Sequence, residues 1–179
     1  LQKLESDGKK SFPAKSTLPG TKFFSDSIKE NLDKNPESTE VVLAEGRVVS
    51  KRGQGKIVFV DLADEKGKMQ CVFKIDTLAE ESMNLFSESI DLGDFIAVSG
   101  KPFITQRGEK SIEVLDWELL TKALLPMPSL DFGLENEEEL MRKRYLDFML
   151  DPSKRDLFYK KAKFWDVVRR YLNERGFLE

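Results

Sequence analysis

No histidine occurs in the 179 residues, and cysteine occurs once, at Cys71. The first absence removes the Ser-His-Asp triad, the Cys-His pair, imidazole acid–base catalysis and every His-ligated metal centre. The second removes intrachain disulfides and thiolate zinc sites, a usage that a reducing compartment permits and that points to the cytoplasm. Cys71 itself reads as a core residue. Apolar runs are short: none approaches the roughly 20 residues that a membrane helix needs, and the first ten residues lack the apolar centre of a secretory signal. Neither a Walker-type glycine loop nor a dinucleotide fingerprint is present. Carboxylates abound but nothing in their spacing positions a pair, so the sequence offers no catalytic residue and no metal ligand.

What the chain has is enough apolar material for a core, 40%, under a surface carrying 34% charged residues, against a usual charged share of roughly 25%. Length favours one core with an appendage. A net charge of −3 argues against a protein that coats nucleic acid indiscriminately, although a mean hides local patches. The 13 Phe, 3 Tyr and 2 Trp are many rings for so polar a chain, and some can serve as surfaces that meet a ligand.

Residues 1–40 read as a loosely packed lead-in with scattered turn residues and short helical candidates at 1–7 and 25–32. From 41 to 121 the pattern becomes strand-like, with strands expected at 41–50, 56–62, 68–75, 95–105 and 111–121. Between the third and fourth, residues 77–89 fit a short amphipathic helix opened by the Thr77-x-x-Glu80 capping pattern, with Leu78, Met83, Leu85 and Phe86 on its apolar side. Three strands, a helix and two strands is the order of the five-stranded, partly open OB-fold barrel, though small barrels and sandwiches share much of it. A linker at 122–136, containing Pro126 and Pro128, precedes a helical region at 137–179. There Glu137, Glu138 and Glu139 precede Arg142, Lys143 and Arg144, the charge order that suits a helix dipole and equally a solvated helix. A second helix is expected at 153–175, capped by Asp151-Pro152-Ser153 and stopped by Gly176. Its apolar residues occupy more than one stripe, so it wants neighbours on two sides. An apolar pattern resumes at Phe177-Leu178, as in a piece of something longer. The fold class expected is mainly β with α.

Alternation places Val58, Val60 and Leu62 on one face of the second strand and Ile57, Phe59 and Asp61 on the other. In the third strand Met69, Cys71, Phe73 and Ile75 form the apolar set, leaving Lys68, Gln70, Val72 and Lys74 outward. Arg47 falls on the side of Glu45 and Lys51, and residues 46–60 carry Arg47, Lys51, Arg52 and Lys56 without one acidic residue. An OB barrel binds oligonucleotides on the face of its second and third strands, between the loops joining strands one to two and four to five; here those loops are 52–55 and 106–110. Single-strand recognition needs a ring to stack on a base, an amide or carboxylate to read its edge, and cations for the phosphates. Each residue also has a plainer use: Phe59 as a cross-strand packing partner, Gln70 as a solvated strand residue, Glu109 as a turn acid beside Gly108, and the basic stretch as protection of a strand edge.

The segments Glu45-Gly46-Arg47-Val48-Val49-Ser50-Lys51-Arg52 and Gly55-Lys56-Ile57-Val58-Phe59-Val60-Asp61-Leu62 resemble the first hairpin of the anticodon-binding domain shared by lysyl, aspartyl and asparaginyl-tRNA synthetases. Leu119-Leu120-Thr121-Lys122-Ala123-Leu124-Leu125-Pro126-Met127-Pro128 and Arg142-Lys143-Arg144-Tyr145-Leu146-Asp147 are similar to the linker and to the segment leading into the catalytic domain of the class II lysyl-tRNA synthetases in particular. This resemblance implies that Phe59 stacks on an anticodon base, that Gln70 and Glu109 hydrogen-bond the central uridine, and that Arg47 and Arg52 contact the anticodon loop of lysine tRNA. It further implies a parent enzyme that uses ATP and Mg²⁺ and dimerises through the class II motif 1 helix, which the helix at 153–175 resembles. Motifs 2 and 3 have no counterpart in these residues, so the chain alone, a truncated catalytic domain behind an anticodon-binding one, is expected to be inactive and to hold no cofactor. A stand-alone OB module binding single strands, or an aspartyl or asparaginyl relative, are the alternatives.

Overall fold

The computed structural model describes residues 2–6, 8, 12–13, 15–36, 38–53, 55–125, 127 and 137–179. Pro126 and 128–136, most of the linker expected from sequence, and Gln54 of the first loop lie outside the described residues. Among the described residues the chain runs α1 (Gln2–Ser6), β1 (Thr21–Lys22), α2 (Ser25–Lys34), β2 (Val42–Arg52), β3 (Ile57–Ala63), β4 (Lys68–Lys74), α3 (Glu80–Ser89), β5 (Phe95–Ile104), β6 (Lys110–Thr121), α4 (Glu137–Arg142), α5 (Arg144–Leu150) and α6 (Pro152–Asn173). One compact unit spans Leu1–Met127 and a second Pro128–Glu179.

In the first unit the strands form a six-stranded sheet in the order β1-β2-β3-β4-β6-β5. β2 pairs antiparallel with β3 through its second half and with β5 through its first, so the pairings of β2, β3, β4, β6 and β5 return to their start. The enclosed side chains are those that alternation marks: Val58, Val60 and Leu62 from β3, and Met69, Cys71 and Phe73 from β4, are all buried. α3 supplies Phe86, stacked on Phe73 with ring centroids 4.0 Å apart and edge-on to Trp117 at 5.2 Å. The Trp117 indole N–H donates to the Ser82 hydroxyl at 3.0 Å, so burying this ring leaves no polar group unpaired. Gly100 allows β5 and β6 to cross closely: a Cβ there would lie 2.2 Å from the Glu113 carbonyl oxygen.

Three local features depart from the sequence expectation. β2 carries a register shift between Val48 and Ser50, which inserts one extra residue and reverses the alternation beyond it. Arg47, opposite Ala63, and Arg52, opposite Phe59, therefore share the outer face, whereas Lys51, opposite Val60, leaves the side of Arg47. Lys51 Nζ instead donates to the carbonyls of Ser87 and Ile90 at 2.9 and 2.8 Å, at the C-terminal end of α3, where a cation meets the negative end of the helix dipole. Second, α3 begins at Glu80, with no side-chain cap. The Thr77 hydroxyl donates to the carbonyls of Lys74 or Val114, both at 3.2 Å, closing the turn out of β4 instead of capping the helix. Third, Val72 faces outward as expected yet is 2% exposed, flanked across the sheet by Phe59 and Glu113.

The lead-in is docked, contrary to its expected looseness. β1 pairs parallel with β2, and α2 buries Ile28 and Leu32 at 1% exposure each. The Ser25 backbone N–H and hydroxyl donate to Asp64 at 2.6 and 2.8 Å, tying the start of α2 to the turn after β3. Farther along α2, Asp33 pairs with Lys110 at 2.6 Å. At the unit's end, Lys122 Nζ pairs with Asp91 at 2.6 Å and with the fully buried Asp94 at 2.7 Å, and Asp94 also accepts from the Ala123 N–H.

In the second unit the first expected helix is two, α4 and α5, separated at Lys143, whose backbone (φ −114°, ψ 46°) is not helical. Asp147, nearly buried, pairs with Lys154, and its carbonyl accepts the Asp151 N–H at 3.0 Å, fixing the corner between α5 and α6. The Asp151 carboxylate caps α6 by accepting from the Ser153 N–H at 3.0 Å. Among the described residues, Phe164, Trp165 and Tyr171 of α6 stand exposed.

Candidate nucleic-acid interface

Strand pairing arranges the outer face of β2, β3, β4 and β6 into rows, because directly opposed residues project to the same side. One row runs Arg52, Phe59, Val72, Glu113 and the next runs Ser50, Asp61, Gln70, Ser111. Phe59 and Gln70 are half-buried, and Arg52 and Glu109 are exposed. In register Phe59 lies opposite Arg52 on one side and Val72 on the other, and the residue is half-buried.

The polar side chains on this face are coupled. Arg52 Nη2 donates to both Asp61 oxygens, at 3.1 and 3.3 Å. The Ser111 hydroxyl, fully buried at its residue, lies 2.9 Å from Gln70 Oε1 and 3.3 Å from the Glu109 carbonyl oxygen. Glu109 sits in the β5–β6 turn, where its N–H donates to Thr105 Oγ1 at 3.0 Å and its carbonyl accepts the Thr105 N–H at 2.9 Å. Farther along the face Lys74 pairs with Glu113 at 2.6 Å. The β2–β3 loop that borders Arg52 turns at Gly53, with φ +96° and an imagined Cβ only 2.6 Å from the Ile57 carbonyl oxygen, a position closed to other residues.

Arg47 stands apart. Five residues from Arg52, about 15 Å along the strand at 3.3 Å per residue, its guanidinium donates to the Gly93 carbonyl at 2.9 Å and stacks over Phe95 at 4.2 Å. Burial lowers its pKa. The structure therefore brings Phe59, Gln70, Arg52 and the Glu109 turn to one face and leaves Arg47 engaged at its far end.

Residues 41–120 match the family model described as an OB-fold nucleic acid binding domain of the tRNA anticodon type. A lysine–tRNA ligase of Halalkalibacterium halodurans is 41% identical over 185 aligned positions, covering 100% of this chain and 36% of that protein. The lysine–tRNA ligase of Clostridium perfringens strain SM101 is 43% identical over 152 positions, 85% of this chain and 30% of the relative. That of Bacillus subtilis is 40% identical over 156 positions, 87% and 30% respectively. Over its whole length the chain is similar to part of these lysine–tRNA ligases, with residues 41–120 as the anticodon-type OB-fold domain. It spans about a third of the length of the curated relatives it matches.

Within this family region, two residues of the face escaped sequence reasoning. Asp61 was placed outward by alternation, but its pairing with Arg52 depends on the bulge at Val49 and left no trace in spacing. Ser111 had no signal at all, since the parallel β4–β6 contact that sets it beside Gln70 joins residues 41 positions apart. Among the described residues no three acidic or cysteine side chains converge as a metal site requires. No helix among the described residues is long and apolar enough to cross a membrane.

Proposed function

We propose that this chain reads the anticodon of lysine tRNA on behalf of a ligase that activates lysine with ATP and transfers it to that tRNA. The observation that carries the reading is the half-buried Phe59, opposite Arg52 and Val72 in register and one row from Gln70, on the outer face of a nucleic acid binding domain. The closed ring of strand pairings is, in this reading, the OB barrel. Phe59 stacks on an unpaired base, a contact that every base offers through its π-face and that supplies affinity. Gln70 and the Glu109 carboxylate read the edge of the central uridine, whose N3–H needs an acceptor and whose O2 and O4 need donors. Arg52 meets a phosphate after parting from Asp61. Arg47 supports the face by holding Gly93 and Phe95, and any contact it makes with the anticodon loop requires it to leave them.

The aminoacylation chemistry, with its ATP and Mg²⁺, belongs to other parts of the parent enzyme, and these residues alone are inactive. The exposed apolar residues of α6 are covered in the parent by a second subunit. The setting is the cytoplasm. Titrating the 179-residue chain with an anticodon stem-loop of lysine tRNA, against the same stem-loop with a scrambled anticodon, tests the proposal. Tighter binding of the lysine anticodon is expected; equal binding of both would refute it.

A further inference from the structure

A glutamine amide can face a base in two ways, presenting either its NH₂ as donor or its oxygen as acceptor, and the two are nearly the same shape. Which one faces outward at Gln70 is set by the atom that faces inward. That inward atom is Oε1, and it is met at 2.9 Å by the hydroxyl of Ser111, which is itself 0% exposed. A serine hydroxyl has one proton, and its other acceptor within reach, the Glu109 carbonyl oxygen, lies farther away at 3.3 Å. With the oxygen inward the Ser111 proton makes the shorter bond; the turned amide would donate to Ser111 Oγ and leave that proton only the longer bond to the Glu109 carbonyl, so the form with the NH₂ group toward the open face is favoured.

We propose that Ser111 is a positioning residue for base selection: its buried hydroxyl locks the Gln70 amide in the donor-outward orientation, so that the face accepts a base carrying an acceptor at its 4-position and rejects one carrying an amine there. Uracil has O4 at that position, and cytosine has the N4 amine. A donor-outward amide bonds the first and confronts the second donor to donor, leaving both groups unpaired where they are partly desolvated. Were the amide free to turn, its oxygen would accept from the cytosine amine and the discrimination would fall. Ser111 touches no base. It acts through Gln70, and its backbone place in β6 beside the Glu109 turn means that the turn and the amide are held by the same residue. This inference rests on the reading that Gln70 faces the central anticodon base.

The test measures the affinity ratio of two lysine-tRNA anticodon stem-loops, with uridine or cytidine at the central position, for the 179-residue chain and its variants, with fold checked by thermal melting. The parent should prefer uridine. Ser111→Ala should lower the preference by about 2- to 13-fold, the worth of one net hydrogen bond, mainly by improving cytidine binding, and should leave the salt dependence unchanged. Ser111→Thr, which keeps a hydroxyl, should restore the ratio. In a Gln70→Ala background there is no amide to orient, so Ser111→Ala should change the ratio no further. Gln70→Glu, which offers only acceptors beside an intact Ser111, should lower the uridine preference below that of Gln70→Ala, the remainder being held by Glu109 at N3, and it remains decisive if Ser111→Ala does not fold. An unchanged ratio in Ser111→Ala, equal weakening of both stem-loops, or an undiminished uridine preference in Gln70→Glu would overturn the proposal. A parent chain with no preference would instead overturn the anticodon reading itself.

Discussion

Replacing Asp61 by Asn should tighten RNA binding, although Asp61 lies in the middle of the candidate face. In the free chain Arg52 is bound to both Asp61 oxygens, at 3.1 and 3.3 Å, with 61% of the Arg52 side chain and 24% of the Asp61 side chain exposed. A pair this open to water is worth about 0.2–1 kcal/mol, and Arg52 forfeits that when it turns to a phosphate. Asp61 also repels the phosphate: two like charges about 6 Å apart in water cost about 0.7 kcal/mol. Removing the carboxylate charge recovers both, about 0.9–1.7 kcal/mol in all, or roughly a 5- to 18-fold gain in affinity. Arg52 meets the same phosphate in both chains, so the slope of log K against log salt should change by less than the roughly 0.7–0.9 of one phosphate contact. The assay is a titration of Asp61→Asn and the parent against a fluorescent lysine-tRNA anticodon stem-loop at several salt concentrations. Arg52→Ala should do the reverse, making the slope shallower by about one unit, and Asp61→Asn should add little to it. Weaker binding by Asp61→Asn, or a slope unaffected by Arg52→Ala, would refute the reasoning that Arg52 is held in reserve for phosphate.

Burial pushes the Cys71 thiol pKa well up and leaves the residue 0% exposed, so a maleimide should label the chain only as it unfolds; rapid labelling in native buffer would place Cys71 elsewhere than the core. Burial lowers the Lys122 pKa but its hydrogen bonds to Asp91 and Asp94 outweigh this, raising it above 10.5. The stability it contributes is therefore complete below that unfolded value and lost as pH rises through the folded one. Thermal melts across this alkaline range should show the gap between the parent and Lys122→Gln closing with rising pH, and a constant gap would contradict the ion pair. Gly100→Ala, with its Cβ 2.2 Å from the Glu113 carbonyl oxygen, should cost about 3 kcal/mol or more in a denaturant melt, at the upper end of overpacking effects; a loss under 1 kcal/mol would show that β5 and β6 can part there.

Much of the strand face was legible because alternation is a local property. Phe59 and Gln70 sit outward, and Val58, Val60, Met69 and Phe73 inward, as period two requires. What escaped depends on contacts distant in sequence or on a single inserted residue. The bulge at Val49 moved Lys51 onto α3 and Arg52 beside Phe59, and nothing in the run from Val48 to Arg52 marks one valine as the extra residue. Thr77 carried a capping pattern, but the Lys74 and Val114 carbonyls claimed its hydroxyl. The lead-in looked loose because its turn residues are visible in sequence, whereas the partners that dock it, Asp64 for Ser25 and Lys110 for Asp33, are not. Arg47 looked like part of a basic patch until Gly93 and Phe95 closed around it. Charge counting sees the cation, and only the fold shows what already holds it.

The central claim is that the Phe59 and Gln70 face binds the anticodon, Phe59 supplying affinity and Gln70 supplying choice. The measurement that meets it most directly compares Phe59→Ala and Gln70→Ala with the parent chain on lysine-tRNA anticodon stem-loops carrying uridine or cytidine at the central position. Loss of a stacked ring costs about 1–3 kcal/mol per base, so Phe59→Ala should weaken binding to both stem-loops by roughly 5- to 150-fold with little change in salt slope. Gln70→Ala should selectively reduce the preference for uridine over cytidine. If both variants bind both stem-loops as the parent does, the face is packing and solvent-exposed strand, and the account of recognition given for it is wrong.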